Sequence, residues 1–282
     1  MKTNYILFTF ILVLFSCKKD YDPDDELIAC FGYQVNMAGD PAVQFTNCSE
    51  NATHYLWEFG DGTTSTEREP LHNYEPPFPY EVTLNAFRGN EVVTQKQFVY
   101  DDIMVYKPNI YVYPTNQIDL CVKLSFPMGG HIVESIPSYN NGWCVNVTPS
   151  GRINETYNYL FYESVQPNVF QYNKGWCIGR NDLQEFFEIS LMAHNFSQAE
   201  INDFIEYWIP LLKEKEFYCI YPQTNPIIDR IIKLDFSVQP DHVNRLFYGI
   251  IGADDFKIIT PPDIVTFNRS GFYVMEWGVF IN

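Results

Sequence analysis

Basic residues are scarce in this chain of 282 residues: 18 Lys and Arg stand against 35 Asp and Glu, a formal charge of −17. A nucleic-acid partner is excluded, because phosphate attraction needs a basic face. Histidine is nearly as sparse, with five in all and none at ligand spacing to another; C-x-x-C and clustered Cys/His patterns are missing, so no metal site is expected. Also missing are a G-x-S-x-G turn, an H-E-x-x-H helix, a phosphate-binding loop and a dinucleotide fingerprint. No cofactor and no assembled catalytic centre can therefore be read from the chain. Aromatic residues, by contrast, abound. With 46% hydrophobic residues, 23 Phe, 20 Tyr and 5 Trp, the chain has ample core material and is not a disordered one. Aromatic and β-branched enrichment suits pleated surfaces better than a helical bundle. The length suggests about two domains.

The apolar run from Tyr5 to Phe15 follows a single lysine and ends at Ser16-Cys17-Lys18-Lys19. It is too short to span a bilayer, which takes about 20 residues, and reads as a secretory segment. Leu14-Phe15-Ser16-Cys17 resembles a bacterial lipobox, which implies a signal peptide over residues 1–16 and a lipidated Cys17 as the new N-terminus. Two or three acyl chains would anchor the chain stably in the membrane. Residues 17–28, rich in Asp and carrying Pro23, read as an acidic tether. The Lys-then-acidic order after Cys17 resembles the export signal of surface-exposed outer-membrane lipoproteins. Residues 1–16 contain one lysine and no acid, so the acidity belongs to the mature protein. Six further cysteines, Cys30, Cys48, Cys121, Cys144, Cys177 and Cys219, are disulfide candidates in an oxidising compartment. Sequence neighbourhood favours Cys30–Cys48, leaving the other four to pair beyond residue 101.

Residues 29–100 alternate in the strand manner over Val43–Asn47, Tyr55–Phe59, Tyr80–Ala86 and Glu91–Val99, with glycine turns between, which predicts a small β-sandwich. Trp57-Glu58-Phe59-Gly60-Asp61-Gly62, followed by Ser65, Pro70, His72-Asn73-Tyr74 and Tyr80-Glu81-Val82-Thr83-Leu84, resembles the signature of the PKD domain, an immunoglobulin-like sandwich. The motif reads as structural. Trp57 and Phe59 share one side of a strand and suit an inter-sheet core. Gly60 and Gly62 permit positive φ around Asp61, whose side chain can bond nearby amides. His72 and Tyr74 would close the following corner. The resemblance implies an extracellular spacer or interaction module.

Residues 101–282 read as a β-rich α+β domain, so the chain as a whole is mainly β. Strands are expected at Val105–Pro114, Asp119–Phe126, Gly142–Thr148 and Tyr157–Glu163. A helical hairpin interrupts them: Asn181 with Gln184 offers one cap, and Ser197-Gln198-Ala199-Glu200 forms a capping box ahead of Ile201, Phe204, Ile205 and Trp208. Pro210 should end the second helix. Tyr139-Asn140-Asn141-Gly142-Trp143-Cys144 recurs as Tyr172-Asn173-Lys174-Gly175-Trp176-Cys177. Exposed, Trp143 and Trp176 could form a platform for a sugar or peptide; buried beside bridged cysteines, the reading preferred here, they are core anchors. Several stretches between residues 105 and 280 are similar to an uncharacterised bacterial family and imply no activity.

Hydrolysis would need a nucleophile with a base, or two carboxylates across a cleft. Glu163, Glu276, His131, His242 and Asp241 are candidates by residue type, and Glu276, framed by aromatics, is the acid to test first. The leading expectation is a lipid-anchored surface protein of the bacterial envelope whose C-terminal domain binds a glycan or protein. The alternative is a hydrolase, glycosidase or peptidase, acting outside the cytoplasm.

Overall fold

The computed structural model describes residues 26–36, 42–75 and 78–281. The expected signal peptide, Cys17 and most of the acidic tether lie outside them. Leu27 is buried, and Ile28 exchanges backbone hydrogen bonds with Glu50 at 3.0 and 3.1 Å. The chain divides into two compact units between Val99 and Tyr100, one residue from the expected boundary.

The first unit comprises β1 (Phe31–Asn36), β2 (Ala42–Asn47), β3 (His54–Glu58), β4 (Thr64–Ser65), β5 (Leu71–Asn73), β6 (Tyr80–Arg88) and β7 (Glu91–Val99). They form two antiparallel sheets, β1-β2-β5 and β4-β3-β6-β7. Strict alternation along β2 buries Val43 and Phe45 and exposes Gln44 and Thr46, the pattern of a strand with one wet face. Phe31, Phe45, Trp57, Phe59 and Tyr74 fill the space between the sheets. The Trp57 ring lies 5.2 Å from both Phe31 and Phe45, and its indole N–H, which burial would otherwise orphan, donates to Glu67 O at 2.9 Å. Cys30–Cys48 forms a disulfide.

The second unit contains β8 (Asp102–Tyr113), β9 (Ile118–Ser125), β10 (His131–Ile136), β11 (Trp143–Val147), β12 (Leu160–Pro167), β13 (Trp176–Gly179), α1 (Leu183–Ala193), α2 (Gln198–Trp208), β14 (Phe217–Thr224), α3 (Asn225–Ile231), β15 (Lys233–Phe236), β16 (His242–Ala253) and β17 (Tyr273–Ile281). A seven-stranded sheet runs β10-β12-β8-β17-β16-β14-β13, antiparallel except for β16 beside β17. Its two faces see different partners, as the alternation of β16 illustrates. Phe247 joins a core shared with the three-stranded sheet β11-β9-β15 and with α3, while Leu246, Tyr248 and Ile250 join a core under α1 and α2.

The capping box of α2 is formed: Ser197 N donates to Glu200 Oε2 at 2.7 Å and Glu200 N to Ser197 Oγ at 3.5 Å. α2 stops at Trp208, two residues before Pro210, whose missing N–H and ring clash terminate the ladder. The cap expected at Asn181 is not formed. A 3-10 turn over Arg180–Asp182 leads into α1, and Asp182 stands at its N-cap without a side-chain hydrogen bond.

The expected pairing of the last four cysteines is half corrected. Cys121–Cys144 is a disulfide across β9 and β11, but Cys177 and Cys219 are free thiols at directly opposed positions of β13 and β14, their sulfurs 3.6 Å apart. The Tyr-Asn-x-Gly-Trp-Cys echo thus places a cysteine opposite a cross-strand cysteine twice, in two different sheets.

Candidate functional site

Halfway along β8 the regular pairing fails. Toward β12, Phe161 pairs with Asn109 and the ladder resumes at Ser164 with Val105. Toward β17, Trp277 pairs with Asn109 and the ladder resumes at Val279 with Tyr106. In both ladders β8 spends one residue more than its neighbour, which is a β-bulge between Tyr106 and Pro108. Lys107 takes the bend at φ +50°, a left-handed conformation that costs a non-glycine residue about 1–2 kcal/mol. Pro108 follows with no N–H to give to either ladder. Strain of this kind persists where the surrounding structure imposes it, and bulges collect beside functional sites.

Beside the bulge opens a pocket of about 280 Å³ lined by Lys107, Ile136, Thr156, Tyr157, Asn158, Tyr159 and Phe161. Ile136 and Phe161 are directly opposed partners on β10 and β12, and Glu134 and Glu163 are the next such pair on the same face. α2 is tied to the same region by its acids. Tyr111 OH donates to Asp203 Oδ2 at 2.8 Å, Tyr113 OH to Glu200 Oε1 at 2.7 Å, and Arg269 Nη1 to Glu200 Oε2 at 2.6 Å. Glu200 is fully buried, and its pairing with Arg269 and Tyr113 satisfies the charge that burial would otherwise penalise.

The Lys107 ammonium sits 3.9 Å above the centre of the Tyr207 ring, a cation–π contact, and forms no ion pair among the described residues. Burial lowers its pKa, with Asp203 and Glu163 opposing. Burial raises the carboxyl of Glu163, and Glu134 raises it further, while the amide and ammonium of Lys107 pull it back. Asp203 is likewise raised by burial, offset by the hydrogen bond from Tyr111. Burial also raises the phenols of Tyr159 and Tyr207. Two residues on, the fully buried Asn109 has no hydrogen-bond partner for its Oδ1 among the described residues. One half-open pocket thus brings a cation and half-buried aromatic residues together, with carboxyls close by, a combination typical of functional sites.

Among the residues singled out from sequence, only Glu163 lies near enough for its charge to act on Lys107, and it stands outside the pocket lining. Glu276 is corrected as a candidate catalyst. It is fully buried on β17, opposite Arg245 of β16; one oxygen takes the Arg245 Nε–H and the other takes the Tyr162 hydroxyl at 2.8 Å. A carboxylate so enclosed meets no substrate. For Trp143 the preferred reading as a buried anchor is what the structure shows, and the platform alternative falls: 2% exposed, it donates its indole N–H to Pro137 O and meets the Tyr139 ring edge-on at 4.8 Å. Trp176 is half-buried against Phe186 and the helical core. His131 lies on the edge strand β10, and Asp241 accepts the Phe272 N–H at 2.8 Å in a turn beside His242.

In the first unit the signature residues do structural work. Asp61 Oδ1 accepts from Thr63 N at 2.9 Å and Oδ2 lies 2.7 Å from His72 Nε2, whose ring stacks on Phe59 at 4.0 Å. Tyr74 OH donates to Phe59 O at 3.0 Å. Gly60 and Gly62 adopt φ +84° and +92°. Sequence reasoning missed Lys107, Asp203 and Tyr207 as members of one site. The one available signal was a lysine before a proline inside an otherwise regular aromatic strand.

Residues 31–102 match the family model of the PKD domain. Among solved structures, the crystal structure of the PKD1 domain from Vibrio cholerae metalloprotease PrtV is 31% identical, covering 26% of this chain and 93% of that one, with a TM-score of 0.24. No curated protein matches the chain.

Proposed function

We propose that this chain is a lipid-anchored surface protein of the bacterial envelope, in which Cys17 carries the anchor, the PKD domain acts as spacer or interaction module, and residues 101–282 hold a glycan or protein ligand in the Lys107 pocket. The observation carrying the ligand reading is the bulge: a strained, half-buried lysine, without an ion-pair partner among the described residues, lines a pocket together with Tyr157 and Tyr159. The lipobox resemblance and the acidic stretch after it carry the anchor reading. The first test is fractionation of cells expressing wild type and Cys17→Ala: the variant should leave the membrane on carbonate washing, and its retention contradicts the anchor. The second is ligand capture by wild type against Lys107→Met on glycan arrays and in cross-linking to co-cultured cells. Equal capture by both refutes the pocket.

One observation favours hydrolysis as a second reading. Glu134 and Glu163 oppose each other directly across β10 and β12, and retaining glycosidases hold their carboxyls roughly 5 Å apart. Glu163, its carboxyl raised by burial and by Glu134, would be the acid. A glycoside and peptide screen comparing wild type with Glu163→Gln decides it, and no turnover by wild type ends this reading.

A further inference from the structure

We infer that the ligand of the Lys107 pocket is a neutral glycan, held by ring stacking on Tyr157, Tyr159 and Phe161 and by a hydrogen bond from the Lys107 ammonium to a sugar oxygen. The inference rests on the ligand reading proposed above and narrows it.

Three features of the pocket choose the class. Its volume of about 280 Å³ and its concave wall suit one or two rings of a small polar ligand better than a protein face, which docks over a broad surface. Tyr157, Tyr159 and Phe161 line the pocket and are half-buried. Tyr159 is braced edge-on by Tyr111 at 5.3 Å, and Tyr157 packs against the inter-sheet core. Such rings are rigid apolar faces that need little further ordering on binding, and the C–H face of a pyranose covers them. At the exposed rim, Asn158 Oδ1 accepts from Arg152 Nη1 at 2.6 Å and Thr156 Oγ1 donates to Asn154 O at 3.1 Å, which leaves the Asn158 amide N–H groups to donate to a sugar hydroxyl and the Thr156 oxygen to accept from one.

Charge then separates neutral from anionic sugars. Among the described residues Lys107 is the one cation lining the pocket, with the Arg152 guanidinium at its rim, 2.6 Å from Asn158 Oδ1; the carboxylates whose fields reach Lys107 and its neighbour Tyr207 are Asp203, Glu163 and Glu134, with Glu206 beside Asp203. The four acids still outnumber the two bases, Lys107 and Arg152. A uronate or phosphate would enter a net negative field, whereas a hydroxyl or acetamido oxygen can take the ammonium hydrogen bond without that opposition. A lysine held in a left-handed bend by two ladders has its backbone fixed before any ligand arrives, which spares ordering entropy at the binding step.

The test is calorimetric titration of the full chain in detergent with cellohexaose, chitohexaose and mannohexaose as neutral probes and with hexagalacturonate as the anionic one. At least one neutral probe is expected to bind saturably, and Lys107→Met and Tyr159→Ala should each weaken it about tenfold or more. Lys107→Gly removes the amine and also the strain, so it should lose binding while melting no lower than wild type; this separates a lost contact from a lost fold. Binding of hexagalacturonate alone, abolished by Lys107→Met, keeps the pocket and overturns the neutral class. Neutral binding that all three variants retain overturns the pocket as its place. No binding of any sugar overturns the inference, while the capture experiment on co-cultured cells still decides whether the pocket takes a protein.

Discussion

Replacing Arg245 with Met should destabilise the second unit by about 3–5 kcal/mol, the usual cost of removing one member of a buried ion pair and leaving the other uncompensated. Both side chains of the Arg245–Glu276 pair are wholly inaccessible to solvent. Without the guanidinium, Glu276 keeps only the Tyr162 hydroxyl at 2.8 Å, and the Ile232 carbonyl loses its donor. Asp229, the third partner, has a half-exposed carboxylate that water can serve, so its loss adds little. Arg245→Met combined with Glu276→Leu removes both charges together. The double variant should be more stable than Arg245→Met alone, falling short of wild type by the hydrogen bonds of Tyr162 and Ile232, about 1–3 kcal/mol each. Urea unfolding followed by tryptophan fluorescence reports on this unit, because Trp143, Trp176, Trp208 and Trp277 lie in it and only Trp57 lies in the first. A single-variant loss below about 1 kcal/mol, or a double variant equal to the sum of its singles, would refute the argument that the pair is desolvated and coupled.

Three further outcomes follow from other parts of the molecule. Gly60→Ala should lower the melting transition of the PKD domain more than Gly62→Ala: both adopt positive φ, but only at Gly60 would the new Cβ meet a backbone atom, Glu81 O at 2.5 Å, and equal effects in calorimetry contradict this. His194 is buried with its Nδ1 2.7 Å from Ser190 O, and burial lowers its pKa below 6.5. The unfolded chain therefore binds this proton first, so its contribution to stability is flat above pH 6.5 and falls as pH drops toward the lowered native value. His194→Asn should abolish that part of the slope in urea titrations across pH 5–7, and an unchanged slope counts against it. Cys177 lines an open pocket while Cys219 is fully buried, with its thiol pushed up to about 11 by burial and by Cys177; iodoacetamide should label Cys177 first, and peptide mapping that finds Cys219 ahead refutes the assignment.

The PKD domain was legible because its information is local. Trp57, Phe59 and the glycines around Asp61 fall within a few residues of one another, and each serves a turn or a strand face that spacing alone reveals. The same holds for α2, where Ser197 and Glu200 cap across three residues. The first helix was misplaced at its start because a 3-10 turn competes with a cap at Asn181, a difference that neighbouring packing decides. α3 escaped notice, since seven residues opening with Asn225-Pro226 hold too little periodicity to separate a helix from a loop.

The pocket was invisible for a different reason. Lys107, Phe161 and Tyr207 come from β8, β12 and α2, and no spacing rule links a bulged strand to a helix some hundred residues downstream. Glu276 shows the converse. An acid framed by aromatics reads equally as a catalyst or as a buried partner, and only the parallel register that sets it opposite Arg245 decides between them.

By itself the sequence determined the composition-level facts: an acidic, aromatic-rich, mainly β chain with a PKD domain ahead of an α+β domain, since strand alternation, turn glycines and helix caps are interactions among near neighbours. Tertiary structure alone decided which acids are buried, which of the four later cysteines bond, and that Lys107 lines a pocket. Burial, charge compensation and cavity shape depend on residues distant in the chain that the sheet order brings together.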